Sequence, residues 1–211
     1  MAAYDFKKEY KDLYLPKPVP AIIQVPKMLF IAVDGAGDPN TSKSYAEALE
    51  ILYGLCYSIK MSKLSGNTPQ GYFDYVMPPL EGFWSLPNYV FDGQPIQNKD
   101  AFVWTSLIRQ PDFVTEAVFQ SAKETLKKKK PDLDTGKAQL FTFEEGLCAQ
   151  IMHLGPYDEE PATIAKLNAF IEASGHKPDF NDIRRHHEIY LGNPRKTAPE
   201  NLKTVIRHPI A

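Results

Sequence analysis

At 211 residues, 43% of them hydrophobic and 24% charged, the chain is globular in composition and long enough to bury a real core, as one large domain or two small ones. A formal net charge of -2 exerts no long-range pull on nucleic acid, and the one basic run, Lys127 to Lys130, ends a helical pattern where lysines complement the helix dipole, so no direct nucleic-acid partner is expected. The charged N-terminus lacks an apolar signal core and no window reaches membrane-span length, which predicts a cytoplasmic protein without membrane contact, with Cys56 and Cys148 as buried free thiols.

Residues 1–27 read as an extended N-terminal lead-in studded with Pro16, Pro18, Pro20 and Pro26, whose Tyr10 and Tyr14 pack onto the domain. Met28 to Val33 is a short apolar strand, closed by Asp34-Gly35-Ala36-Gly37-Asp38-Pro39. Thr41 or Ser42 caps the next helix, where Tyr45, Leu49, Leu52, Cys56 and Ile59 recur at spacings of three and four; Gly66, Asn67 and Pro69 stop it. Tyr72 to Met77 reads as a strand with Phe73, Tyr75 and Met77 on one face, and Pro78-Pro79-Leu80-Glu81-Gly82-Phe83-Trp84 as a stiff connection. Asn88 to Asp100 is loop. Ala101 to Arg109 is a strand with Val103 and Leu107 on one side and Phe102, Trp104 and Ser106 on the other. Pro111-Asp112 opens a helix striped by Val114, Val118, Ala122 and Leu126.

The second half repeats this order. Gln139 to Phe143 and Leu147 to Leu154 read as two strands, Gly155-Pro156-Tyr157 as a turn, and the acids before Pro161 as a helix start, with the stripe Ile164, Leu167 and Ile171 next and the stop at Gly175. From Arg184 to Pro194, His187, Ile189 and Leu191 alternate with His186, Glu188 and Tyr190, so a carboxylate and a phenol share the face opposite the core. Thr204 to Arg207 is a last short strand. Aligning Gly37 with Gly155 pairs Val33 with Ile151. The chain thus reads as α+β, a duplicated strand-helix-strand-strand unit with halves at about 28–130 and 137–208, whose antiparallel sheets leave a ligand cleft between them. His186 and Glu188 share a face that His187 does not, so the three cannot ligate one ion; neither a metal nor another cofactor is expected.

Four segments in order carry a resemblance: Val76-Met77-Pro78-Pro79-Leu80-Glu81-Gly82-Phe83-Trp84, Gln110-Pro111-Asp112-Phe113, His153-Leu154-Gly155-Pro156-Tyr157 and His187-Glu188-Ile189-Tyr190-Leu191. Together, over roughly residues 25 to 208, they are similar to the GyrI-like small-molecule-binding proteins, which share a fold with the ligand-sensing domains of multidrug-responsive activators. The resemblance implies that 28–211 is a single such domain, with an aromatic-lined cleft whose acidic floor faces hydrophobic aromatic or cationic small molecules. Glu188 matches that acid by its place in the motif. Stand-alone family members are implicated in hydrolysing cyclopropane-bearing DNA-alkylating toxins, and the short proline-rich start of this chain does not resemble the helix-turn-helix of the activators.

The resemblance and the residues together lead to the expectation of a detoxifying hydrolase, with Glu188 as the base that activates water and Tyr75 or Tyr190 as donor to the substrate's carbonyl oxygen. Phe73, Glu81, Phe83, Trp84, Trp104 and Tyr157 are the candidate ligand contacts. The residues leave alternatives beside each: Trp84 and Trp104 as core anchors, Glu81 as partner of a surface lysine, Tyr157 as a corner residue bonding to backbone. Sequestration of hydrophobic cations without chemistry, or contact with gyrase, are the competing functions.

Overall fold

A computed structural model describes residues 3–64, 66, 68–87 and 89–211; Asn67 and Asn88, expected in a helix stop and at the start of a loop, lie outside the described residues. Six antiparallel strands form the sheet: β1 (Ala21–Ala36), β2 (Leu80–Ser85), β3 (Val103–Arg109), β4 (Ala138–Leu154), β5 (His186–Tyr190) and β6 (Lys203–Pro209). They close into a barrel in the order β1-β3-β2-β5-β6-β4. Helix α3 (Lys43–Lys60) follows β1 and α5 (Glu160–Ala173) follows β4, so the order strand, helix, strand, strand is met twice. The first three strands meet the last three along two seams, β1 with β4 and β2 with β5. Gly37 (φ 106°) and Gly155 (φ 127°) end the leading strand of each round, in left-handed backbone that glycine adopts without cost.

Local chemistry explains most boundaries. Ser42 caps α3, its hydroxyl accepting from the Tyr45 N–H at 3.3 Å, and Ile51, Leu52, Leu55, Cys56 and Ile59 form the buried stripe. Pro161 stands at the start of α5, where its missing N–H is no loss, and Ile164, Leu167 and Ile171 bury that helix. Cys56 and Cys148 are buried and unpaired, and burial pushes the Cys56 thiol up to about 12. Among the described residues no helix is long and apolar enough to cross a membrane.

Four segments differ from the expectation, and one helix starts late. The lead-in before residue 28 holds two short helices, α1 (Phe6–Glu9) and α2 (Lys11–Tyr14), and the first residues of β1, because Phe6, Leu13 and Tyr14 have apolar surface to bury. Residues 72–77 form no ladder; Tyr75 makes one isolated bridge to Tyr4, and their alternating rings pack on one another. Residues 80–85, expected as a connection, are the strand β2, its prolines standing just before the ladder where a missing donor does no harm. Residues 138–154 are one strand, since Gly146 (φ 76°) bends the chain without ending the pairing. Helix α4 (Glu116–Lys129) begins after the Thr115 cap, its first residue five positions beyond Pro111.

Candidate functional site

A closed sheet has two faces, and register decides which side chains share one. Glu188 on β5 lies opposite Gly82 of β2 and Ile206 of β6, so His186, Glu188 and Tyr190 share a face with Trp84, Thr204 and His208. Contacts from α3 and α5 reach this face, which makes it the outer one. The absence of a side chain at Gly82 matters here. The Trp84 indole folds over the vacated position, where a Cβ would stand 2.6 Å from Nε1, and from there Nε1 donates to the Tyr190 hydroxyl at 3.0 Å.

Glu188 sits at the centre of the arrangement. Its Oε2 accepts from the Tyr190 hydroxyl at 2.7 Å and its Oε1 faces His186 Nε2 at 2.9 Å. The buried carboxyl of Glu160, at the first turn of α5, interacts with Glu188 and Thr204, and its Oε1 has no hydrogen-bond partner of normal geometry. Aromatic rings wall the space: Tyr157 edge-on to Tyr190 at 5.7 Å, and Tyr45 of α3 at 6.0 Å from Trp84 and 5.0 Å from Trp104. The carboxylate is largely withdrawn from water, yet 14% of its side chain stays accessible.

The two carboxyl groups are driven apart. Burial alone would raise Glu188, but the hydrogen bond and charge of His186 and the Tyr190 hydroxyl outweigh it and hold this acid below the usual carboxylate range. Burial and the neighbouring Glu188 charge together push Glu160 well above that range. Burial, then the two carboxylates, raise the Tyr157 phenol to about 12. The cleft therefore sets an acid held below the usual carboxylate range beside one held above it, among phenols raised by burial, a pattern that separates acid and base roles.

Of the residues singled out from sequence, Glu188, Tyr190, Trp84 and Tyr157 come together here. Trp104 pairs with Trp84 across β2 and β3 but is 1% exposed, a core ring beneath the wall, packed so closely that a Cβ on Gly35 would stand 2.2 Å from it. Tyr75 and Phe73 are elsewhere, in a cluster with Phe6, Tyr72 and Phe113, where Lys60 donates to the Tyr75 carbonyl. His153, which opens one of the segments of the resemblance, commits its ring nitrogens to Thr163 Oγ1 (2.8 Å) and the Pro156 carbonyl (3.1 Å), tying the start of α5 to β4. Sequence reasoning missed His186, Glu160 and Tyr45 as site residues. Their signals are ambiguous: a histidine in a strand, an acid at a helix start, a tyrosine in an apolar stripe.

Glu81 and Phe83 take the other parity and point into the barrel. There Glu81, fully buried, accepts from the Tyr14 hydroxyl (3.2 Å) and from His187 Nε2 (3.0 Å), and His187 Nδ1 donates to Glu145 Oε2 (3.0 Å). Arg207 donates to the same Glu145 oxygen at 3.0 Å, to Gln150 Oε1, and to the Leu13 carbonyl at 2.8 Å. The Phe83 ring packs on His187 at 4.5 Å. This is an internal charge cluster sealed by α2, not the floor of a cleft.

The cluster makes stability depend on pH. Burial would raise Glu145, but the charges of His187 and Arg207 bring it to about 2 from its usual 4.5. A depressed acid stabilises the fold above its unfolded value and loses that contribution as pH falls through the folded one, so the urea midpoint is expected to drop from pH 4.5 toward 2. His187 has the opposite sign. Burial lowers it, but Glu145 and Glu81 more than compensate, so its contribution is complete below 6.5 and fades as pH rises through the elevated folded value. A urea midpoint that stays flat on both sides would contradict this assignment.

A profile of the GyrI-like small molecule binding domain matches residues 18–211. Among solved structures the chain is similar to a hydrolase from Listeria innocua, at 48% identity over 99% of this chain and 100% of that one, with a TM-score of 0.89. It is similar also to an uncharacterised conserved protein from Listeria innocua, at 49% identity over 99% and 100% of the two chains, with a TM-score of 0.93. The C-terminal domain of EcmrR shares the fold alone, at 12% identity over 91% of this chain and 96% of that one, with a TM-score of 0.54. No curated protein sequence matches.

Proposed function

The chain belongs to the GyrI-like small-molecule-binding family, and from that premise we propose that its outer cleft hydrolyses electrophilic aromatic compounds bearing a cyclopropane ring, a detoxifying reaction. The observation that carries the reading is the buried Glu188–Glu160 pair, one acid held below and the other well above the usual carboxylate range, beside an aromatic wall. The name hydrolase borne by the Listeria innocua relative at 48% identity supports water as the second reactant. Residues 28–211 would form the binding domain as two repeats, a reading that the twice-met strand and helix order supports.

Chemistry follows from the positions. Water gives a proton to Glu188 as its oxygen bonds to the less hindered ring carbon. The adjacent carbon–carbon bond of the strained ring breaks, and its electron pair passes through the conjugated system to the carbonyl oxygen, which takes the proton of Glu160. Glu188 then releases its proton and Glu160 takes one up, by exchange with water that reaches the partly accessible Glu188, restoring both groups. Tyr190 orients Glu188, because its only O–H points at Glu188 Oε2 while its oxygen accepts from Trp84. That use of its one proton favours Glu160 over Tyr190 as donor to substrate, and Tyr75 lies in another cluster.

A second reading has its own support. An ionised acid among ring faces attracts a delocalised cation, each ring adding about 0.5 to 2 kcal/mol. Product counting separates the two. With the alkylator in large excess, hydrolysis is expected to yield ring-opened product well beyond one equivalent of protein; a plateau at one equivalent would leave sequestration in its place.

A further inference from the structure

A row of hydrogen bonds leads away from Glu188. His186 Nε2 meets Glu188 Oε1 at 2.9 Å, His186 Nδ1 meets His208 Nε2 at 2.8 Å, His208 Nδ1 meets Asn168 Oδ1 at 3.0 Å, and Asn168 Nδ2 donates to the Phe91 carbonyl at 2.7 Å. Both ends of this row have a fixed polarity. A backbone carbonyl only accepts, so Asn168 turns its amide N–H to Phe91 and its oxygen to His208. His208 must then carry its proton on Nδ1. Burial, then His186, holds His208 well below the usual imidazole range, so it is neutral, its Nε2 is bare, and His186 Nδ1 donates to it.

At the other end the Trp84 indole only donates, so the Tyr190 oxygen accepts and the Tyr190 proton goes to Glu188 Oε2. One contact is left, a ring nitrogen against a carboxylate oxygen, and neither neighbour has a proton to offer it. One proton lies in that contact, and because Glu188, against its burial, is held below the usual carboxylate range, the proton is assigned to His186 Nε2 opposite an ionised Glu188. The Phe91 ring lies flat on His186, 4.0 Å away and 4° from parallel, so the loop that fixes the far end also clamps the imidazole. Asn168 cannot pass a proton on, which makes the row an orienting device and not a wire to solvent.

We propose that His186 is the positioning residue of this cleft: doubly protonated and locked by His208, Asn168 and the Phe91 loop, it keeps Glu188 ionised and aimed. The inference rests on the base role proposed for Glu188. Other groups facing that carboxylate are Tyr190 on the same strand, Tyr45 from α3, and Tyr157 and Glu160 from the start of α5, with His187 acting across the sheet. Of these, His186 alone brings positive charge on the cleft side.

Two measurements test it. In protein carrying nitrogen-labelled histidine, long-range nitrogen–proton spectra at neutral pH are expected to show both His186 nitrogens protonated and His208 as the Nδ1–H tautomer. Glu188→Gln is expected to remove one proton from His186, since a glutamine amide donates where the carboxylate accepted. A His208 proton on Nε2, or a neutral His186 in the wild type, overturns the proposal. This readout needs no turnover, so it stands or falls apart from the hydrolase reading. In turnover, His186→Asn keeps a neutral donor; the acid limb of kcat is expected to move up by about one pH unit, a loss of about fivefold at the wild-type midpoint, with KM little changed. A folded variant whose acid limb coincides with that of the wild type also overturns it.

Discussion

Glu188→Gln is expected to lower kcat by about a hundredfold to ten-thousandfold on a cyclopropane-bearing substrate, the range typical of a positioned general base. The substitution keeps size and shape, and the glutamine oxygen still accepts from the Tyr190 hydroxyl, so the aromatic wall has no reason to move. What disappears is a group able to take a proton from water. KM should change little, because the interaction removed is one that strengthens only as the water proton departs. Burial and the Glu188 charge together raise Glu160. With a neutral glutamine beside it, Glu160 is expected to release its proton at lower pH, so the residual activity should fail on the alkaline side earlier than in the wild type. Steady-state rates across pH with a folded variant check both points, and an unchanged kcat would remove Glu188 from the base role.

Arg207→Ala is expected to destabilise the fold by roughly 3–5 kcal/mol, the cost typical of removing one partner of a buried ion pair. The guanidinium is fully enclosed and serves Glu145, Gln150 and the Leu13 carbonyl at once. Truncation leaves the Glu145 carboxylate with His187 alone, and Glu145 Oε1 already lacks a partner. It also frees the carbonyl that ties α2 over the barrel. Against total stabilities of about 5–15 kcal/mol for domains generally, such a loss would be visible as a large fall in the urea midpoint at neutral pH. A change under about 1 kcal/mol would mean that the cluster is wetter than its burial implies.

The site is half legible in the sequence. Alternation from His186 to Leu191 is a local signal, and it places Glu188 and Tyr190 on one face before any pairing is known. Parity between strands is not local. Glu81 and Glu188 lie on neighbouring strands, but the register sets Gly82, not Glu81, opposite Glu188, and so sends Glu81 into the barrel. Tyr75 falls to a different ambiguity: the period of two over residues 72–77 is satisfied by rings packing on Phe113 and Phe6, with no ladder. The prolines that disguise β2 as a connection mark where its pairing starts. Glu160 and Asn168 reach the cleft only because α5 crosses the outer face, a placement that an amphipathic stripe does not specify.

In the proposed reaction a sheltered, ionised Glu188 delivers water to a bound electrophile. Turnover in heavy-oxygen water, with protein limiting and wild type set beside Glu188→Gln, tests it most directly. Many equivalents of ring-opened product are expected from the wild type, each carrying one solvent oxygen, and almost none from the variant. Product without the label, or equal label and rate from both proteins, would contradict it.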